Sequence, residues 1–187
     1  MAYDFDVVVI GGGAAGLTSA GLATTLGAKT LMIEGERLGG DCTWTGCVPS
    51  KTLLKAAKVA QQSRDAEKYG LSGTELEFSF SRLMDHVRHI REEVYEDADR
   101  PEIYENLGIE VRNGYASFID DHTVRIEGAK TWTVTGRFFA IATGAKAWVP
   151  PIPGLDEVDY LTNESLFELQ DQPRRLAIVG GGPVSYT

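Results

Sequence analysis

The stretch DVVVIGGGAAG, residues 6–16, decides the fold. Asp6 to Ile10 is a short apolar, β-branched run, which predicts a strand. Three glycines follow. Ala14 to Leu26 then reads as a helix of small residues closed by Gly27, and Lys29 to Glu34, KTLMIE, as a second strand. Strand, glycine turn, helix and strand within about 30 residues form a β-α-β unit with parallel strands and a right-handed crossover. Gly11, Gly13 and Gly16 fit G-x-G-x-x-G, and Glu34 lies eighteen residues after Gly16 at the end of the second strand. The glycine spacing alone is a weak signal; between a strand and a helix it predicts a dinucleotide site. Gly11 allows the tight turn, Gly13 lets backbone approach a pyrophosphate, and Gly16 lets helix pack on strand. The helix start offers N–H groups to the anion. Glu34 is placed to accept hydrogen bonds from an adenosine ribose. The competing reading is a glycine turn in a ligand-free α/β core.

Downstream, Pro49 suits the first turn of a helix, and SKTLLKAAKVAQQSRDAEKYG places Leu53, Leu54, Ala57 and Ala60 near one face, ending at Gly70. Leu71 to Ser79 reads as loop, and Phe80 to Asp97 as a charged amphipathic helix. Pro101 interrupts it, with a shorter helix to Leu107. From Ile109 the pattern alternates apolar and polar residues, with turn signals at Asp120-Asp121, Glu127-Gly128 and Thr135-Gly136. It predicts three antiparallel strands and then a buried strand, Phe138 to Ala142. VPPIPGLD is a proline-rich linker, and Leu176 to Val179 is a fresh apolar strand running into GGGP.

The 187 residues suffice for a domain with a sizeable core, and 43% hydrophobic with 24% charged residues is ordinary for a globular protein. A net charge of −9 argues against nucleic acid or an anionic membrane as a main partner. The start lacks the basic and long apolar regions of a signal peptide, and no run approaches a membrane span. A cytoplasmic location is expected.

Both cysteines, Cys42 and Cys47, sit in one segment, GGDCTWTGCVPSK, residues 39–51. In a reducing compartment a close pair points to redox chemistry or metal binding rather than a structural bridge. Zinc needs more ligands at short spacing, and His86, His89 and His122 are far away in sequence, so no metal site is expected. A disulfide needs a break in helical geometry, since residues five apart in a regular helix lie roughly 7.5 Å apart along its axis. Cys42 is therefore expected in a loop or distorted turn, with Gly46 supplying backbone freedom. Cys47 is expected just before the helix that Pro49 begins, where the dipole and Lys51 favour a thiolate. One activated thiol beside another is what thiol–disulfide exchange requires.

This segment closely resembles G-G-x-C-x(4)-C-x-P, the redox-active signature of the class I pyridine nucleotide–disulfide oxidoreductases. That family includes dihydrolipoamide dehydrogenase, glutathione reductase and mercuric reductase. FFAIATGAKAWVPPIPG resembles the family's second FAD segment, with Ala142, Thr143 and Gly144 at its A-T-G. GIEVRNGYASFID resembles the segment whose G-x-A backbone meets adenine, here Gly114, Tyr115 and Ala116. The ending GCVPSK is closer to mercuric reductase and lipoamide dehydrogenase than to glutathione reductase. The resemblance implies an α/β, Rossmann-like FAD-binding domain with a parallel sheet, helices on both faces and a small antiparallel meander. FAD would lie along Gly11, Gly13, Ala14, Ala15, Gly16, Glu34, Gly40, Asp41, Cys42, Cys47, Lys51, Gly114 to Ala116 and Ala142 to Gly144. Cys47 would face the flavin, Cys42 would exchange with substrate, and Lys51 would tune electron flow. Electrons would pass from NAD(P)H through FAD to a Cys42–Cys47 disulfide and on to a disulfide, dithiol or metal-ion substrate.

Family members are more than twice as long and form homodimers. The expected organisation here is a flavin domain over residues 1–149, a linker over 150–175, and the start of a nicotinamide domain over 176–187. Gly180 and Gly182 match the first two glycines of a second G-x-G-x-x-G, whereas Ser185 and Thr187 depart from the family pattern. TWT stands where the family has x-N-x between the cysteines, and none of the three histidines matches the family's carboxy-terminal His–Glu pair. The resemblance thus leaves three readings: a flavin disulfide oxidoreductase or the amino-terminal part of one, a flavin-binding module without NAD(P)H turnover, and a remnant without flavin.

Overall fold

A computed structural model of the chain describes residues 2–73 and 76–181. The chain falls into two compact units: Met1–Cys42 with Val94–Lys146, and Thr43–Glu93 with Ala147–Thr187.

The first unit starts with the predicted β-α-β: β1 (Phe5–Ile10), α1 (Ala14–Thr25) and β2 (Thr30–Glu34). Later come a π turn at Tyr95–Asp99, α5 (Pro101–Asn106), β3 (Glu110–Asn113), β4 (Tyr115–Asp120), β5 (Thr123–Glu127) and β6 (Thr131–Ile141). The strand order is β3-β2-β1-β6-β5-β4, parallel from β3 to β6 and antiparallel from β6 to β4. Strand alternation sorts β1 and β2 between two cores. Val8, Ile10, Leu31 and Ile33 pack with Val124, Ile126 and Val134 of the meander. Val9 and Met32 pack on the opposite side with Ala20 of α1, Leu38 and Ile109, and Tyr104 of α5 lies against them. Within this unit, therefore, the expectation of helices on both faces narrows: α1 and α5 cover one face and the meander covers the other.

Two strand expectations change. The apolar-polar stretch from Ile109 splits at Gly114, so β3 joins the parallel sheet beside β2 and only β4 belongs to the meander. The third meander strand and the following strand are one eleven-residue strand, β6. The turn expected at Thr135-Gly136 does not form. Thr135 is the last residue opposite β5, and Gly136 is the first opposite β1. Gly136 is glycine for closeness, because a Cβ there would meet Val8 and Phe139. Nor is Phe138 to Ala142 fully buried: Phe138 and Ile141 are 59% and 68% exposed. That half of β6 pairs with β1 alone, which leaves its alternate side chains in solvent.

The second unit carries α3 (Cys47–Arg64), continued by a 3₁₀ turn at Asp65–Tyr69, then α4 (Phe80–Val94), a short 3₁₀ turn at Leu155–Glu157 and α6 (Asn163–Leu166). A fifth helical segment, α2 (Gly40–Trp44), crosses the boundary between the units at Cys42. Gly70, at φ 75°, ends the 3₁₀ turn as the sequence predicts. The apolar stripe expected on α3 is rotated. Leu53, Ala56 and Ala60 are half-buried whereas Leu54 and Ala57 are exposed. Apolar residues at 53, 54, 56, 57 and 60 permit either stripe, so spacing alone does not select one. On α4 the buried residues are Met84, Val87 and Arg91, one face at i, i+3 and i+7.

Leu176 to Val179 is exposed and forms no strand. A strand exists only through its ladder, and no described segment supplies a neighbour. Gly182, Ser185 and Thr187 lie outside the described residues. Among the described residues, no helix is long and apolar enough to cross a membrane.

Candidate functional site

The order β3-β2-β1-β6 places the reversal of the parallel sheet between β1 and β6. Ligands of open α/β sheets bind at the carboxyl ends of the strands flanking such a reversal. Here those ends are the Gly11–Gly16 turn and the Ala142–Gly144 segment, and the structure brings them together. Ala142 N–H donates to Ile10 O at 2.7 Å. Gly11, at φ 105°, packs so closely that a Cβ would fall on the Ala142 carbonyl. A Cβ at Gly16 would fall in turn on the Gly11 carbonyl. Gly13 precedes α1 with no side-chain cap, and the first turn holds no acidic residue. Ala14 and Ala15 are exposed. Small side chains, backbone N–H groups and the positive end of a twelve-residue helix are the donor set a pyrophosphate requires.

Glu34 closes the turn from the side. Its Oε2 accepts from Gly12 N–H at 2.6 Å and its Oε1 from Glu36 N–H at 2.8 Å. Each carboxylate oxygen keeps a lone pair, so the ribose role expected of Glu34 is compatible with its work in the turn. Gly114 N–H donates to Glu34 O at 2.8 Å, which carries the Gly114–Ala116 segment to the same edge. The Tyr115 ring lies over Gly35, where a Cβ would meet it, and its hydroxyl approaches Glu36 Oε1 at 3.5 Å. Ala116 turns into the core against the meander.

Gly39, which the sequence reading left without a role, begins the cysteine segment directly on this turn. Its N–H donates to Gly12 O at 2.9 Å, and Gly13 and Gly39 form a parallel bridge. A Cβ at Gly40 would stand 2.7 Å from the Gly13 Cα. Asp41 and Cys42 follow within this unit, exposed and half-buried respectively. Cys42 lies in α2, in helical geometry where a loop or distorted turn was expected, and the helix breaks after it, at Thr45 and Gly46.

In the second unit, Gly46 precedes α3 and its carbonyl accepts the first helical bond, from Ser50 N–H at 3.1 Å. Cys47 is therefore the first residue of α3, two positions earlier than expected. Proline lacks an N–H, and the first-turn N–H groups have no intrahelical partner, so Pro49 fits inside this turn without starting it. Cys47 and Lys51 are both exposed and stand one turn apart, on one side of α3. The side chain that sequence reasoning missed is Arg91. Its Nη1 donates to Trp44 O at 2.8 Å and to Glu168 Oε1 at 2.7 Å. An arginine on a charged helix reads as solvated; the signal was its phase, in register with Met84 and Val87.

Residues 5–186 match the profile of the pyridine nucleotide-disulphide oxidoreductases. The chain belongs to this family. The family is FAD-dependent and uses NAD(P)H. Among its members, the mercuric reductase of Bacillus cereus is 40% identical over 96% of this chain and 28% of its own length. The glutathione reductase of Burkholderia cepacia is 34% identical over 98% of this chain and 39% of its own. The dihydrolipoyl dehydrogenase of Acholeplasma laidlawii is 30% identical over 98% and 55%. Among solved structures, the HOCl-induced flavoprotein disulfide reductase RclA from Escherichia coli superposes with a TM-score of 0.73 at 27% identity, covering 96% of this chain and 38% of that one. The chain thus spans about a third of the mercuric reductases it matches, 28% of the Bacillus cereus protein and 32% of that of Staphylococcus aureus.

Proposed function

We propose that the chain holds FAD along the β1–α1 turn, Glu34, the Gly40–Lys51 segment, Gly114–Ala116 and Ala142–Gly144, and serves a disulfide oxidoreductase drawing electrons from NAD(P)H. Bound FAD supplies two-electron acceptor chemistry. The chain's own residues divide the rest. The Gly11–Gly16 backbone and the start of α1 hold the pyrophosphate, and Glu34 orients the ribose. Cys47 and Cys42 take up two electrons as their disulfide opens. Cys42 then exchanges with substrate, and Lys51 sets the charge around the flavin edge. A thiolate pair suits either a disulfide or a soft metal ion; mercuric reductases at 36–40% identity support the metal ion. A reducing cytoplasm would keep such a pair cycling.

The observation that carries the reading is the contact of Gly39 and Gly40 with Gly12 and Gly13, which starts the cysteine segment on the nucleotide turn. The test is flavin release: heat-denatured protein is expected to leave FAD in the supernatant, at close to one per chain. Cys47→Ser is expected to keep the FAD yet lose the long-wavelength thiolate–flavin absorbance seen on reduction. A colourless chain that takes up no added FAD defeats the reading.

One observation favours a narrower role for these 187 residues alone. Leu176 to Val179 forms no strand, so among the described residues no second strand–turn–helix unit stands ready for NAD(P)H. Steady-state oxidation of NADH or NADPH with disulfide acceptors is expected to be negligible; robust turnover overturns this narrower role.

A further inference from the structure

Among the described residues of the second unit, Arg91 is the one strongly buried cation, 7% exposed, and its Nη1 makes both of the bonds given above. Its Nε is buried with no protein partner. Burying a guanidinium is unfavourable unless it is paired and hydrogen-bonded. What one of them fixes is the Trp44 carbonyl, the last of α2. Trp44 lies two residues after Cys42 and three before Cys47. Glu168, just beyond α6, accepts from the same Nη1 at 2.7 Å. The helix break between the cysteines, Thr45 and Gly46, starts from the carbonyl that Arg91 holds. Asn163 Nδ2 adds a contact to Thr45 Oγ1 at 3.5 Å.

We infer that Arg91 is a positioning residue for the cysteine pair: by clasping Trp44 O it fixes the helix break that separates Cys42 from Cys47 in the chain, and so sets how readily the two side chains, both thiols in this structure, join as a disulfide. The inference rests on the redox-pair reading above. The reaction it governs is balanced with glutathione disulfide as oxidant. One cysteine thiolate attacks a glutathione sulfur, the S–S bond breaks and one glutathione thiolate leaves. The second cysteine thiolate attacks the mixed disulfide, forming the Cys42–Cys47 bond and releasing the second glutathione. Two cysteine thiols are oxidised and one glutathione disulfide is reduced. A held break raises the effective concentration of the second thiol, and that concentration sets the equilibrium.

The test equilibrates the 187-residue chain in glutathione redox buffers, quenches it in acid, alkylates it and weighs the tryptic peptide Leu38–Lys51, which contains both cysteines. Arg91→Met is expected to lower the equilibrium constant for disulfide formation about tenfold, making the pair's potential about 30 mV less negative. Arg91→Lys, which keeps the charge but reaches the carbonyl with a different geometry, should fall between. An unchanged potential in folded Arg91→Met overturns the inference. Should that variant not fold, Glu168→Gln decides. Loss of the counter-charge from the partly exposed end is expected to shift the potential in the same direction by about threefold in equilibrium constant, and no shift overturns the inference. A wild-type chain that forms only mixed disulfides with glutathione defeats the redox-pair reading itself, which separates the two failures.

Discussion

The turn after β1 and the segment between the cysteines are both bounded by glycine, yet they are held by different means. Around Gly11–Gly16 the bonds run from backbone to backbone: Gly11 N–H to Ile33 O at 2.8 Å, Gly39 N–H to Gly12 O at 2.9 Å, Ala142 N–H to Ile10 O at 2.7 Å. The Glu34 side chain joins them. From Trp44 to Cys47 side chains take hold of the chain: Arg91 on Trp44 O, Asn163 on Thr45 Oγ1, with Ser50 Oγ on Cys47 O within α3. A framework made of backbone at close approach fails when an atom is added. A clasp made of side chains fails when one is removed.

The largest expected effect tests the first half of that contrast. Gly16→Ala puts a methyl on the Gly11 carbonyl, and the atom it meets is backbone of the turn after β1 and not the far end of a flexible side chain. A loss of about 3 kcal/mol in urea unfolding is expected, with FAD affinity falling alongside. A loss under about 1 kcal/mol would mean that the carbonyl yields, and the contrast would break there. Removal of the clasp comes next. Arg91→Met leaves Trp44 O without its buried donor while Glu168 remains half in water, so about 2 kcal/mol is expected, less than the cost of removing one partner from a fully buried ion pair. Glu34→Gln comes third and sharpens the comparison from within the backbone framework. It turns one acceptor into a donor facing an N–H, and about 1 kcal/mol of stability is expected to go. Because the ribose acceptor changes with it, equilibrium dialysis should show weaker FAD binding than the stability loss alone explains.

The same distinction separates what was legible in the sequence from what was not. The β1–α1–β2 unit was legible because backbone at close approach writes itself as glycine at fixed spacing, and parallel strands as β-branched runs. Gly11, Gly16 and Glu34 stand where the spacing placed them. Gly136 shows the limit of that signal. Thr135-Gly136 is local turn chemistry, but the residue is glycine because Val8, in another strand, leaves no room for a Cβ. Only the tertiary structure distinguishes the two reasons. Arg91 was illegible for the complementary reason: a side-chain clasp needs a partner 47 residues back and another 77 residues on, and neither distance leaves a periodic trace. The strand expected at Leu176 to Val179 was legible as composition, but a strand requires a neighbour, and composition does not provide one.

The smallest expected effect belongs to a third kind of hold, one that pH removes without changing an atom of the framework. At the amino-terminal end of β1, Asp4 Oδ2 accepts from Thr135 N–H at 2.8 Å and from the Thr135 hydroxyl at 2.9 Å. These bonds, the backbone one first, hold the Asp4 carboxyl below the usual carboxylate range, against the opposing effect of desolvation. A folded-state value below the unfolded one means stability that is fully present above the unfolded value, about pH 4, and lost as pH falls through the folded value. Asp4→Asn is therefore expected to be less stable than the wild type at neutral pH by a small, constant margin that closes on the acid side. Urea midpoints of both proteins from pH 7 down to about pH 3 would trace it. A margin that widens in acid would place the proton on the wrong side of the linkage and remove Asp4 as a hold on β6. The glycine framework, having no proton to take up, should show no such margin: the difference between Gly16→Ala and wild type is expected to stay level across the same range.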